Sequence, residues 1–221
     1  MPKLFFDIGA NVGAWALENI TYYDVDKIIS VEASPETYPK LLANCGQDHG
    51  IVPIHYAVTN HPSETIQFYH AHCDVLSTTN LAAFTNPESR FYQYCPVKPY
   101  DVPTITLDRM ISLYGVPDFI KIDVESAEFE CLCSLSQPVE LLCFEWAAET
   151  KDITHKCLAY LHDVLGYESF SIQFQDNYTY RPNQEDYVDY ETIQERVAKL
   201  RRSPEEKDWG MIWTKMVNTD I

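Results

Sequence analysis

Phe5-Phe6-Asp7-Ile8-Gly9-Ala10-Asn11-Val12-Gly13 is a short apolar run that enters a glycine-punctuated turn and leaves it as a helix. The pattern predicts a parallel strand whose carboxyl end meets a ligand: the glycines let the backbone pass close to it, and Asp7 stands just ahead of the first. A dinucleotide fold asks for Gly-x-Gly-x-x-Gly, but Asn11 stands where its second glycine belongs. The stretch therefore favours S-adenosylmethionine over NAD. Asp7 would accept a hydrogen bond, direct or through water, from the ammonium end of such a ligand, while amides near Gly9 and Asn11 would face its carboxylate at the helix start. An ordinary strand-to-helix turn is the alternative, since D-x-G-x-x-x-G alone is a modest signal.

Outward from this turn, residues 14–20 read as a helix and Lys27-Ile28-Ile29-Ser30-Val31 as a buried strand ending at Glu32. A carboxylate at that strand tip suits the two hydroxyls of an adenosine ribose. Ser34, Pro35 and Glu36 read as cap, first-turn proline and first-turn acid of a helix with Tyr38, Leu41, Leu42 and Cys45 inward. Residues 51–58 read as a third strand, whose end at Ala57 falls about where the adenine ring lies, and 65–69 as a local hairpin strand. From His70 to Pro103 the pattern weakens, and a loop of that length reads as a substrate-side cover. Its His70, His72 and Cys73 lack a second ligand pair at metal spacing.

Residues 104–106 form a brief strand, and Leu107, Met110, Ile111 and Tyr114 face inward from the next helix. Asp118-Phe119-Ile120-Lys121-Ile122 is a fourth strand, and it runs into Asp123-Val124-Glu125-Ser126-Ala127-Glu128. Ionisable residues crowding the mouth of a parallel strand read as a reaction site beside the cofactor. The alternative is that Glu125 and Glu128 only complement the following helix dipole. A fifth strand, 141–145, again ends in a carboxylate, Glu145; a helix, a sixth strand (169–174), a tyrosine-rich loop (176–190), a helix and a last strand (210–215) follow. Strands alternating with helices predict an α/β fold, a doubly wound, mostly parallel sheet covered on both faces. The 221 residues are expected to form one domain, with a cofactor half at about 1–103 and a reaction half at about 104–221.

Asp and Glu number 33 against 16 Lys and Arg, a net charge of -17, which disfavours nucleic acid and anionic membranes as partners. The basic run Lys199-Leu200-Arg201-Arg202 is short, precedes Glu205 and Glu206, and reads as a helix end. Seven cysteines, an odd number with several in apolar elements, fit buried free thiols in a reducing compartment. With no leader sequence and no apolar run of membrane length, the expected location is the cytoplasm.

In order and spacing, Phe6-Asp7-Ile8-Gly9-Ala10-Asn11-Val12-Gly13, Val31-Glu32-Ala33-Ser34-Pro35, Thr106-Leu107-Asp108 and Lys121-Ile122-Asp123-Val124-Glu125-Ser126-Ala127-Glu128 resemble the FkbM family of S-adenosylmethionine-dependent methyltransferases, over roughly residues 4 to 146. Ser126 stands where that family usually has glycine. The resemblance implies a seven-stranded sheet whose last strand is antiparallel, and methyl transfer to oxygen, often a hydroxyl of a sugar or natural product. By that match Asp7, Gly9, Asn11, Gly13 and Glu32 hold the cofactor, and Lys121, Asp123, Glu125 and Glu128 lie at the reaction site; Ala33, next to Glu32, and Ala57, at its strand end, are expected to complete the cofactor site. Asp123 is the expected general base. Asp123 and Glu145, ending adjacent strands, would share Mg²⁺ if a metal takes part. Tyr92, Tyr94, Tyr100, Tyr178, Tyr180, Tyr187 and Tyr190 suit a neutral carbohydrate acceptor. A non-catalytic binding module on the same fold is the rival reading.

Overall fold

Five consecutive buried residues, Leu4 to Ile8, make the first strand, an apolar run of the kind a parallel sheet covered on both faces requires. The computed structural model describes residues 3–47, 50–61, 63–87, 89–94, 97–175, 177–201 and 208–216. The first half of the chain runs β1 (Leu4–Ile8), α1 (Ala14–Tyr22), β2 (Lys27–Glu32), α2 (Tyr38–Cys45), β3 (Ile51–His55), β4 (Ala57–Val58), β5 (Thr65–His70), α3 (Leu81–Thr85) and β6 (Lys98–Ile105). The second runs α4 (Leu107–Tyr114), β7 (Phe119–Ile122), α5 (Glu128–Leu132), β8 (Leu141–Ala147), α6 (Lys151–Asp163), β9 (Ser169–Phe174), α7 (Tyr190–Lys199) and β10 (Trp209–Lys215).

The seven-stranded sheet has the order β3-β2-β1-β7-β8-β10-β9, and β10 is antiparallel to both neighbours. The chain winds outward from β1 to β3 and then returns to continue from β7 on the other side. The switch point between β1 and β7 is where an open α/β sheet leaves a crevice beyond its carboxyl ends. Alternation along the strands sorts the core into two faces. Phe6 and Ile8 pack with Leu107, Leu132 and Leu158, while Phe5 packs with Trp15, Leu41 and Phe119. On this second face Phe119 stacks on Trp213 at 5.4 Å, and the guanidinium of Arg181 lies over both rings and over Tyr23. That stack fastens the segment around Tyr178 and Tyr180 to the sheet.

Several boundaries differ from the sequence expectation. The third strand breaks at Tyr56: residues 51–55 stay in the main sheet, where edge position tolerates Pro53, while Ala57 and Val58 pair with β6 in a separate three-stranded sheet, β4-β6-β5. The stretch expected as a long cover holds α3 and most of β6, whose register with β5 runs from Thr65 against Pro103 to His70 against Lys98. Pro99 and Pro103 disguise that strand in the sequence. Ser34 does not cap α2. Its Oγ accepts from the amides of Glu36 and Thr37 and closes a separate turn, so the helix begins at Tyr38, with Leu42 exposed. Finally, β8 runs on to Ala147, so Glu145 lies inside that strand.

Arg201 donates to the carbonyl oxygens of Ala198 and Leu200, as the helix-end reading expects; Arg202, Glu205 and Glu206 lie outside the described residues. Cys45, Cys73, Cys131, Cys133, Cys143 and Cys157 form no disulfide among the described residues, and Cys95 lies outside them. Among the described residues no helix is long and apolar enough to cross a membrane.

Candidate active site

The glycine turn is shaped by its protein neighbours. Gly9 has φ +77°, and a Cβ there would stand 1.7 Å from the carbonyl oxygen of Asp123. Gly13 has φ +89°, and its Cβ would stand 2.3 Å from Cys45 Sγ on α2. The sequence reading gave these glycines the task of admitting a ligand. The structure gives them the task of letting the first turn meet the loop after β7 and the helix after β2, and only Gly9 lines the cavity. Asn11, between them, also has a left-handed φ of 48°. Its amide donates to Glu32 Oε2 at 2.9 Å, and the Ser34 amide donates to Glu32 Oε1 at 2.7 Å. Two backbone donors thus orient the Glu32 carboxylate at the end of β2. Burial pushes its carboxyl up to about 7 in spite of them.

A cavity of about 540 Å³ opens at the switch point, within the range of small-molecule sites. Gly9, Asn11, Glu32, Ala33 and Ala57 line one part of it; Lys121, Asp123, Glu125, Glu145 and Arg90 line another. The cavity thus brings together most of the residues expected from the sequence. Asp7 and Gly13 stand behind its wall. Asp7 is wholly buried, and its Oδ1 accepts from Lys121 Nζ at 3.2 Å. The same ammonium donates to the Gly9 carbonyl oxygen and lies 3.3 Å from Asp123 Oδ2. Burial works against the charge on Lys121, but the Asp7 and Asp123 carboxylates outweigh it and hold the ammonium above the usual lysine range. Lys121 therefore fixes Asp123 at the cavity edge.

Glu128 also lies behind the wall, 2% exposed, with Oε1 accepting from the Val124 amide at 3.2 Å. It braces the loop that carries Asp123, and burial raises its carboxyl to about 7. Glu125 and Ser126 both have left-handed backbones, with φ 57° and 69°. Such conformations cost side-chain-bearing residues about 1–3 kcal/mol each. A tether from outside holds the loop in that shape: Asn80 Nδ2 donates to the Ser126 carbonyl oxygen at 3.1 Å.

Arg90 belongs to the segment read as a substrate-side cover, and the sequence reading assigned it no role of its own. It comes from the segment between α3 and β6, and its Nη2 donates to Glu125 Oε2 at 2.9 Å and to Glu145 Oε1 at 3.0 Å. Its Nε lies 3.3 Å from Glu149 Oε1. Burial works against the guanidinium charge, yet the carboxylates of Glu145, Glu125 and Glu149 keep Arg90 fully charged. Burial pushes the Glu125 and Glu145 carboxyls well above the usual range. The available signal was a lone arginine, in an acidic chain, within a segment expected to cover a strand end crowded with carboxylates.

The Mg²⁺ expectation meets this arginine directly. Carboxylate oxygens of Asp123, Glu125 and Glu145 lie within 4.8 Å of one another, a spacing that suits a divalent ion. Arg90 Nη2 already sits against two of the three. Arg90 thus already bridges one oxygen of Glu125 and one of Glu145.

Of the tyrosines expected to form a sugar platform, Tyr178 lines the cavity. Tyr100 bonds to Glu36, Tyr180 packs on Trp213, Tyr187 lies beneath Lys215, and Tyr190 stacks on His162. Tyr92 is exposed, and the Tyr94 side chain lies outside the described residues. Trp15, Tyr56 and Trp209 are aromatic members of the wall that sequence reading did not single out.

A family model described as "Methyltransferase FkbM domain" matches residues 7–169. Similar solved structures include a methyltransferase FkbM from Methylobacillus flagellatus KT, at 12% identity and TM-score 0.53, covering 96% of this chain and 43% of that one. Others are a precorrin-6y C5,15-methyltransferase from Geobacter metallireducens GS-15 (11% identity, TM-score 0.50, 97% and 80% coverage) and a Methanococcus jannaschii fibrillarin pre-rRNA processing protein (13%, 0.50, 97% and 66%). The chain thus spans less than half of the first of these. No curated protein is matched by the sequence. At these identities the likeness is one of fold, a Rossmann-like methyltransferase sheet.

Proposed function

Because the chain belongs to the FkbM methyltransferase family, we propose that it uses S-adenosylmethionine to methylate a hydroxyl of a neutral carbohydrate or glycosylated metabolite, with Asp123 as general base. The observation that carries this reading is the meeting, in one cavity, of the oriented Glu32 carboxylate and the Lys121-held Asp123 carboxylate. The cofactor fits the first part of the cavity: a carboxylate with both oxygens aligned by amides suits a ribose diol, and Ala33 and Ala57 leave flat apolar wall for a base.

When bound, S-adenosylmethionine supplies a methyl group on a sulfonium, open to in-line displacement. The protein's part is alignment and proton removal. Asp123, with its side chain 24% exposed, is accessible to an acceptor hydroxyl and would take its proton. Lys121 keeps Asp123 from rotating away. The negative surface of the chain, with net charge -17, suits a neutral acceptor better than a phosphorylated one.

Calorimetric titration with S-adenosylmethionine and S-adenosylhomocysteine, with NADH as control, is the test. Micromolar binding of the first two alone supports the cofactor assignment; silence from both in folded protein favours the binding-module reading instead. Asp123→Asn is then expected to keep cofactor affinity within about threefold and to lose about 100-fold or more in turnover. Unchanged turnover removes Asp123 from the role.

A further inference from the structure

We propose that Arg90 is the resident cation of a latent divalent-metal site, its guanidinium holding Glu125, Glu145 and Glu149 where a metal ion would otherwise bridge carboxylates at the cavity wall. The inference stands on geometry and does not rest on the acceptor or on the base assigned above.

Carboxylates from two distant parts of the chain converge on this one side chain. Glu125 follows β7, Glu145 lies in β8, Glu149 lies just beyond it, and Arg90 reaches all three from the segment before β6. The four side chains are only 9% to 21% exposed, so the charges are shielded from bulk water. An ion bound to Glu125 and Glu145 needs oxygens at roughly 2.0–2.6 Å. The Nη2 nitrogen, at 2.9 Å from one carboxylate and 3.0 Å from the other, fills that space. Metal and guanidinium are therefore mutually exclusive. Arginine cannot vacate the site by losing its proton, because its charge persists at any working pH.

The base of Arg90 is fixed independently of these contacts. The adjoining Phe91 is wholly buried and meets Phe84 edge-on at 5.6 Å, in a small cluster with Ala71 and Leu76. This anchor is part of the segment whose Asn80 holds the Ser126 carbonyl. The arginine is thus delivered to the carboxylates by a packed element. Once it is removed, Asp123, Glu125 and Glu145 present oxygens within 4.8 Å of one another, and Lys121, 3.3 Å from Asp123 Oδ2, is the cation that stays beside them.

The test is calorimetric titration of MnCl2 into the full chain at pH 8, without cofactor. Wild type and Arg90→Lys are expected to show no site tighter than about 1 mM, whereas Arg90→Ala gains one Mn²⁺ site at least tenfold tighter, and Arg90→Ala with Glu145→Gln loses it. A merely structural role for Arg90 would not create a metal site. Arg90→Gln, neutral but still a hydrogen-bond donor, is read in the same way should Arg90→Ala not fold. If neither variant folds, the wild type decides: silence supports the proposal, and a tight Mn²⁺ site abolished by Glu145→Gln overturns it. Equal Mn²⁺ binding by wild type and folded Arg90→Ala also overturns it.

Discussion

Gly9 and Asp123 meet backbone to backbone: a Cβ on Gly9 would stand 1.7 Å from the Asp123 carbonyl oxygen. The turn that faces the cofactor part of the cavity and the loop that carries the expected base are therefore one mechanical unit. Gly9→Ala must separate them and also hold alanine at φ +77°. The expected cost is about 3 kcal/mol from overpacking and left-handed strain together. Urea unfolding measures it, and S-adenosylhomocysteine affinity should fall in parallel. Wild-type stability in this variant would contradict the close contact.

Ser126 offers the opposite prediction. Its φ of 69° is costly for serine and easy for glycine. Ser126→Gly should keep the Asn80 bond to the backbone carbonyl and stabilise the protein by about 1 kcal/mol, or roughly 2–4 °C in thermal midpoint. A fall in the midpoint would show that the serine hydroxyl outweighs the relieved backbone.

Glu32 gives the protein a pH dependence of definite sign. Its folded carboxyl is raised from 4.5 to about 7, so between those values the folded state holds a proton that the unfolded state has lost. Its contribution is complete below about pH 4.5 and is lost as pH rises through 7, by about 3 kcal/mol in all for the cofactor-free protein. Glu32→Gln should flatten that part of the stability profile between pH 5 and pH 8. An unchanged slope would place the proton elsewhere.

The buried pair of Lys121 and Asp7 should behave asymmetrically. Lys121→Met leaves the wholly buried Asp7 without its partner, at an expected cost of about 3–5 kcal/mol. Adding Asp7→Asn should recover more than 1 kcal/mol of that loss, since the orphaned charge is then gone. A double-mutant cycle in urea reads the coupling directly, and strict additivity would mean that the ion pair contributes nothing.

Much of this was legible in the chain itself. Apolar runs such as Leu4 to Ile8 and Phe119 to Ile122 are buried on both faces, so parallel strands announce themselves through composition, and carboxylates at their ends mark the sheet edge where a ligand sits. Glu32, Asp123 and Glu125 could be placed at the cavity because each lies within a residue or three of a strand's carboxyl end, a local property. What depends on partners far along the chain was not legible. Pairing of β6 with β5 overrides Pro99 and Pro103; Gly9 answers to Asp123, and Gly13 to Cys45.

Arg90 is the clearest case of that division. By itself the sequence determined that carboxylates would crowd the mouth of the sheet, because the buried apolar runs of β2 and β7 end at or next to Glu32 and Asp123. Only the tertiary structure decided which cation answers them, because Arg90 meets Glu125, Glu145 and Glu149 through the packing of a separate segment, and no local pattern encodes a contact made across the fold.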